Sequence, residues 1–176
     1  MASQIDSEAV VRRTLNTHLK AIWRFAFALC GQADTADDLL QATCLRALEK
    51  CEQVTEDRRV DAWCMTICRS IWLNELRSQS IRKTQSLAHA PDAALIDPRG
   101  DTESNYLARE VFTKVMELPE AQRVTVMLVF VEGYAYREAA EVLDVPIGTV
   151  MSRLSAARAK LRDAVDGDGK AMEGRT

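Results

Sequence analysis

A chain of 176 residues, 47% apolar and 28% charged, is long enough to bury a core in one ordinary domain or two small ones and too apolar for wholesale disorder. Its longest apolar run, 124–131, is far too short to cross a bilayer, and the start Met1–Glu8 lacks a signal peptide's basic-then-apolar order, so a cytoplasmic location is expected. A net charge of −3 excludes a protein that grips DNA by bulk electrostatics; any DNA binding must come from a local basic surface.

From Val11 the apolar residues Leu15, Leu19, Ile22, Ala26 and Leu29 recur every three or four positions, predicting a helix that Gly31 ends. A second helix comes directly after it. Asp34 or Thr35 can cap it, Asp37 and Asp38 suit the positive end of its dipole, and Leu40, Cys44 and Ala47 are its expected buried face. The polar stretch Glu52–Arg59 breaks the pattern. Asp61 is then the expected cap of a third helix, with Cys64, Ile67, Cys68 and Ile71 inward and Arg69, Arg77, Arg82 and Lys83 on or beyond its outer surface.

Five cysteines, Cys30, Cys44, Cys51, Cys64 and Cys68, give an odd count without the close double pairs of a zinc site or a secreted disulfide framework. Cys64 and Cys68 stand one helical turn apart, which would allow a metal or redox pair, but the two histidines, His18 and His89, are distant in sequence. Reduced thiols serving as small core residues are the favoured reading, with no metal and no cofactor.

Periodicity vanishes between about Ser86 and Glu103, where Pro91, Asp97, Pro98, Gly100 and Asp101 cluster as in a linker. It returns with Tyr106, Leu107, Val111 and Val115. Leu118-Pro119 opens a further helix, whose expected buried face is Val124, Met127, Leu128 and Val131 and whose stop is Gly133. Tyr136–Leu143 then reads as a short helix with Ala139, Ala140 and Leu143 inward, Asp144-Val145-Pro146 as a turn, and Ile147–Leu161 as a longer helix. That is the grammar of a helix-turn-helix. In the longer helix Val150, Leu154, Ala157 and Leu161 form a narrow packed stripe, while Gly148, Ser152, Ser155, Ala156 and Ala159 lie opposite. Small side chains let a helix approach another surface closely. Arg153, Arg158, Lys160 and Arg162 flank them, with no acidic residue between Ile147 and Arg162, as insertion into a major groove requires.

The blocks 118–123 (LPEAQR), 132–140 (EGYAYREAA) and 146–154 (PIGTVMSRL) closely resemble the carboxy-terminal promoter-binding domain of extracytoplasmic-function sigma factors. Upstream, 37–48 (DDLLQATCLRAL) resembles the polymerase-binding helix of that family, and Ala62-Trp63 through Arg77 its minus-ten helix. The resemblance implies an all-α protein of two small helical domains joined by a flexible linker: 1–84 for polymerase binding and minus-ten recognition, 85–104 as linker, 105–166 as the helix-turn-helix domain for the minus-thirty-five element, and 167–176 as tail. It implies that Asp38, Leu39, Gln41, Leu45 and Arg46 touch core RNA polymerase. Arg58, Arg59, Arg69, Ser70, Asn74 and Arg77 would meet the minus-ten strand, whose flipped bases need a pocket and nearby cations. Thr149, Met151, Ser152, Arg153, Ser155, Ala156, Arg158 and Lys160 would meet the minus-thirty-five element. The implied partners are core polymerase, promoter DNA and an anti-sigma factor covering the polymerase-binding helix and the helix-turn-helix.

The chain departs from the family pattern at Ser70, often asparagine, at Cys44 and Leu48, often aromatic, and at Met151 and Ala156, often basic. The general role that the resemblance implies survives these changes. The alternative is a helix-turn-helix regulator that is not a polymerase subunit, but its first half would need a ligand pocket or an α/β receiver, and no strand pattern is present. An enzyme is not expected, because the chain has no glycine-rich phosphate loop and no nucleophile with a local base.

Overall fold

The computed structural model describes residues 6–54, 59–83 and 111–173. The chain divides into two compact units, Met1–Ala94 and Leu95–Thr176, and every regular element among the described residues is helical. The expected linker at 85–104 lies outside the described residues, as do Tyr106 and Leu107.

In the first unit α1 spans Ser7–Cys30. The Asp6 carboxylate accepts the Ala9 N–H at 3.1 Å, satisfying one orphan donor of the first turn. At the other end Gly31 adopts φ 74° and donates its N–H to the Phe27 carbonyl, a left-handed cap that a side chain would disfavour. Val11, Leu15, Ile22, Phe25, Ala26 and Leu29 are buried, but Leu19 is 38% exposed. Phe25, Ala21 and Ala28 pull the buried arc to the other side of the Leu15–Ile22 line and leave Leu19 at its edge.

Helix α2, Ala33–Glu49, starts only two residues after Gly31, so neither Asp34 nor Thr35 is its cap. Extended Gln32 takes that position and Thr35 donates its hydroxyl to the Gln32 side-chain oxygen at 3.2 Å. The buried face is Ala36, Leu39, Thr43 and Ala47, rotated from the expected one; Leu40 and Cys44 are half-buried. Thr43 can be fully buried because its hydroxyl donates to the Leu39 carbonyl at 2.7 Å, which removes the cost of an unpaired polar group.

Helix α3, Val60–Lys83, carries Asp61 inside its first turn rather than at its cap, paired to Arg59 at 2.6 Å. Trp63, Cys64, Met65, Ile67, Cys68 and Trp72 are buried and Ile71 is half-buried. Each of the three helices packs on the other two. Phe25, Ile22 and Met65 are the largest side chains wholly out of water, each worth about 1.5–3 kcal/mol of transfer free energy.

The second unit begins, as described, with α4, helical over 111–116, followed by α5, Glu120–Val126, whose N-cap is Pro119. Arg123 reaches back to donate to the Met116 carbonyl at 3.1 Å, closing the turn between the two. Helix α5 continues as a π-helix over Met127–Val131, with the Glu132 N–H bonding five residues back to Met127. That wider turn rotates the end of the segment, so Val131, expected inside, is 48% exposed beside Phe130 at 56%. Gly133, at φ 73°, ends the segment, and the Tyr134 N–H donates to the Leu128 carbonyl.

Helix α6 is Tyr136–Leu143, with the Ala135 N–H held by the Glu138 carboxylate at 2.8 Å. Ala139, Ala140, Val142 and Leu143 are buried. Asp144 turns the chain in the left-handed region at φ 48°, and the Val145 N–H bonds the Ala140 carbonyl. Helix α7 then runs from Ile147 to Glu173, past the expected end at Leu161 and through most of the expected tail at 167–176. No proline comes after Leu161, and glycine costs a helix only about 1 kcal/mol, so Gly167 and Gly169 do not end it. No described helix is long and apolar enough to cross a membrane.

Candidate nucleic-acid interface

The tight α6-turn-α7 arrangement is anchored by Ala139, Leu143, Val150, Leu154 and Ala157, all buried. This fixes the phase of α7, and with it which residues look outward. Gly148, Ser152, Ser155, Ala156 and Ala159 are all exposed, so the outer face is built of small side chains. Ser152 folds its hydroxyl back on the Thr149 carbonyl at 3.0 Å, which keeps that face low. Thr149 and Arg153 are half-buried on one flank with Lys160 exposed beyond them. Met151, at 50% exposure, lies with exposed Arg158 and Arg162 on the other. All eight residues expected at the minus-thirty-five element therefore share one helix, on its outer face and the two flanks of that face. A Cβ built on Gly148 meets nothing within 4 Å, so the fold itself does not require glycine there.

In the first unit Asp38, Gln41, Leu45 and Arg46 are exposed together on the outside of α2, and Leu45 is 61% exposed. Leu39 departs from the expectation. It is 5% exposed, because its position is on the α2 stripe that faces α1 and α3, and it supports the helix from beneath instead of meeting a partner. Trp23 donates its indole N–H to Asp37 at 2.6 Å and stacks on Phe27 with centroids 5.3 Å apart, tying the start of α2 to α1. Periodicity gave no hint of this tie, since it joins two polar faces.

On α3, Ser70, Asn74 and Arg77 are exposed along one face, and Arg77 donates to the Asn74 side-chain carbonyl at 3.0 Å. Arg69 is half-buried. Arg59 is at the helix start, its guanidinium occupied by Asp61. Arg58 lies outside the described residues.

Cys64 and Cys68 are wholly buried in the three-helix core. Burial pushes both thiols up to about 12, although the Thr43 hydroxyl bond acts in the opposite sense on Cys68. Burial also raises half-buried Cys44. Such groups are protonated at neutral pH and poor nucleophiles or ligands. Among the described residues no three histidine, cysteine or carboxylate side chains are grouped to hold a metal ion.

Residues 14–81 match the family described as Sigma-70 region 2 and residues 108–161 that described as Sigma-70, region 4. The chain is 34% identical over 146 residues to the ECF RNA polymerase sigma factor EcfG of Rhodopseudomonas palustris, covering 82% of this chain and 79% of that one. It is 32% identical over 163 residues to a probable RNA polymerase sigma-C factor of Mycobacterium bovis, covering 89% and 86%. Among solved structures, the sigma factor RpoE of Bartonella quintana, in complex with the anti-sigma factor NepR, is similar with a TM-score of 0.77 at 25% identity, over 88% of this chain and 96% of that chain. The structure of CnrH in complex with the cytosolic domain of CnrY shares the fold, with a TM-score of 0.62 at 23% identity over 91% of this chain and 90% of that one.

Proposed function

The chain belongs to the ECF RNA polymerase sigma factor family, and we propose that it delivers core RNA polymerase to promoters, α2 holding the polymerase, α3 the minus-ten strand and α7 the minus-thirty-five element. It is a regulatory subunit and not itself the catalyst of RNA synthesis. It works where polymerase works, in the cytoplasm.

The observation that carries this reading is the outer face of α7. Four basic residues and no acidic one stand between Ile147 and Arg162 on a chain of net charge −3, around a strip of small exposed side chains. A cationic, low-relief helix seated on a short partner helix fits a major groove and its phosphates. Exposed Asp38, Gln41, Leu45 and Arg46 mix charge with a large apolar side chain, which suits a protein partner instead. Asn74 and Arg77 supply amide and guanidinium groups suited to an extruded base and its phosphate.

Reconstituted transcription tests the proposal. Core polymerase and a promoter fragment should give specific initiation only when the chain is added. Tight sequence-specific DNA binding by the free chain at physiological salt, with no response to polymerase, would favour a stand-alone regulator.

A sigma factor of this fold has been solved with an anti-sigma factor, and such a partner on this chain would cover α2 and α7. Inhibitor and core polymerase would then exclude each other by mass action. A ternary complex that still initiates would be incompatible with that.

A further inference from the structure

Arg158 differs from the other cations of α7 in what holds it. Its guanidinium carbon is 5.7 Å from the centroid of the Phe130 ring, and its Nη2 is 3.4 Å from the Tyr136 hydroxyl. Phe130 comes from the π-turn at the end of α5 and Tyr136 from the first position of α6. Three segments of the second unit thus meet at one side chain. The π-turn makes this possible, because it swings Phe130 out of the core to 56% exposure, where its ring can lie beside the exposed arginine.

We propose that Phe130 and Tyr136 are positioning residues that hold the Arg158 guanidinium at the edge of the α7 face for a DNA phosphate; this rests on the reading of α7 as the minus-thirty-five helix. A guanidinium has five N–H donors in a plane and no acceptor. The ring lies against the guanidinium and the hydroxyl takes one donor, which leaves four N–H donors on an exposed side chain for a phosphate. Both partners are neutral, so the full positive charge is kept. An arginine already confined in this way loses less freedom when it closes on phosphate, which is how preorganisation raises affinity without a new contact to the ligand.

The test uses holoenzyme reconstituted from core polymerase and the full chain, with a labelled duplex bearing the minus-thirty-five element that this holoenzyme selects from a randomised pool. Phe130→Leu keeps apolar volume and removes the ring; it should lower duplex affinity about two- to fivefold, the value of an exposed cation–π contact expressed as a fold-change. Phe130→Trp, which keeps a ring, should restore binding. Tyr136→Phe should cost less than Phe130→Leu. In an Arg158→Ala background neither Phe130→Leu nor Tyr136→Phe should have further effect, and core polymerase affinity and melting temperature should stay at the parent values throughout. Equal losses with and without Arg158, or no loss from Phe130→Leu, would overturn the positioning role while leaving α7 as the DNA helix. If Arg158→Ala itself binds as the parent does, both the positioning role and the assignment of Arg158 to the DNA face fail.

Discussion

Helices α2 and α7 each leave one face uncovered, and the two faces are made of different material. On α2 the uncovered face mixes a carboxylate, an amide, a guanidinium and Leu45, standing 61% exposed on a helix whose other side is tightly packed. On α7 it is glycine, alanine and serine flanked by cations. A large exposed leucine gains free energy only when another apolar surface dries it, whereas a flat strip of small residues gains nothing by drying but lets a charged backbone come close. The contrast teaches that one chain can present two partners with surfaces that do not compete, even though its overall charge favours neither.

The largest effect expected from breaking this comparison comes from below the first surface. Phe25 is wholly buried under α2 and α3, and Phe25→Ala should cost about 3–5 kcal/mol in denaturant unfolding. Hydrogen exchange should show protection lost across α1, α2 and α3 and kept in α5 to α7. Simultaneous loss in both units would mean that they fold as one.

On the second surface, Arg153→Ala should weaken minus-thirty-five binding by about 1–3 kcal/mol and flatten its salt dependence by roughly one phosphate. Polymerase affinity should not change. The converse variant, Leu45→Glu, should weaken polymerase binding by about 1–2 kcal/mol, the size of an exposed interface anchor, with DNA contacts intact. Its melting temperature should hardly move, since the side chain is mostly in water already. Should Arg153→Ala affect polymerase, or Leu45→Glu affect only DNA, the division of labour is reversed.

Gly148→Ala separates fold from function more finely. Open space receives the new methyl, and helix propensity improves, so the chain should become more stable by about 0.5–1 kcal/mol. Duplex binding should nevertheless fall if the methyl stands on the face proposed for DNA. Unchanged or improved binding would show that DNA does not approach the start of α7.

The smallest effect at neutral pH concerns Cys64 and Cys68. Their thiols ionise near 9.0 when unfolded and near 12 when folded. Folding therefore favours the protonated form. The contribution of these two thiols to stability should be constant below pH 9.0 and be lost as pH rises from there towards 12, so over that range stability should fall less in the Cys64→Ala and Cys68→Ala variants. At neutral pH each variant should show only the moderate loss of a small core side chain, with no metal released. Stoichiometric zinc lost on mutation would contradict the core role.

Much of this was legible in the residues. The ends of α6, the turn at Asp144, the stop at Gly133 and the outward set on α7 arise from periodicity, capping chemistry and the tolerance of Asp and Gly for the left-handed region. Leu39 matches a family contact but faces the core, and the burial of Thr43 has no signal in the periodicity because it depends on a hydroxyl satisfied on its own helix. Val131 lies outside the expected buried face because a π-turn, closed by the Glu132 N–H on the Met127 carbonyl, shifts the helical phase without any distinctive residue.

By itself the sequence determined which segments are helices, that two of them form a helix-turn-helix, and that α7 carries cations around small side chains, because each of these depends on spacing and local chemistry along one element. Tertiary structure alone decided the absolute phase of α2 against its neighbours, the outward swing of Phe130 and the tie from Trp23 to Asp37. Periodicity fixes the angles between side chains on a helix, but only packing against other helices fixes which of those angles points inward.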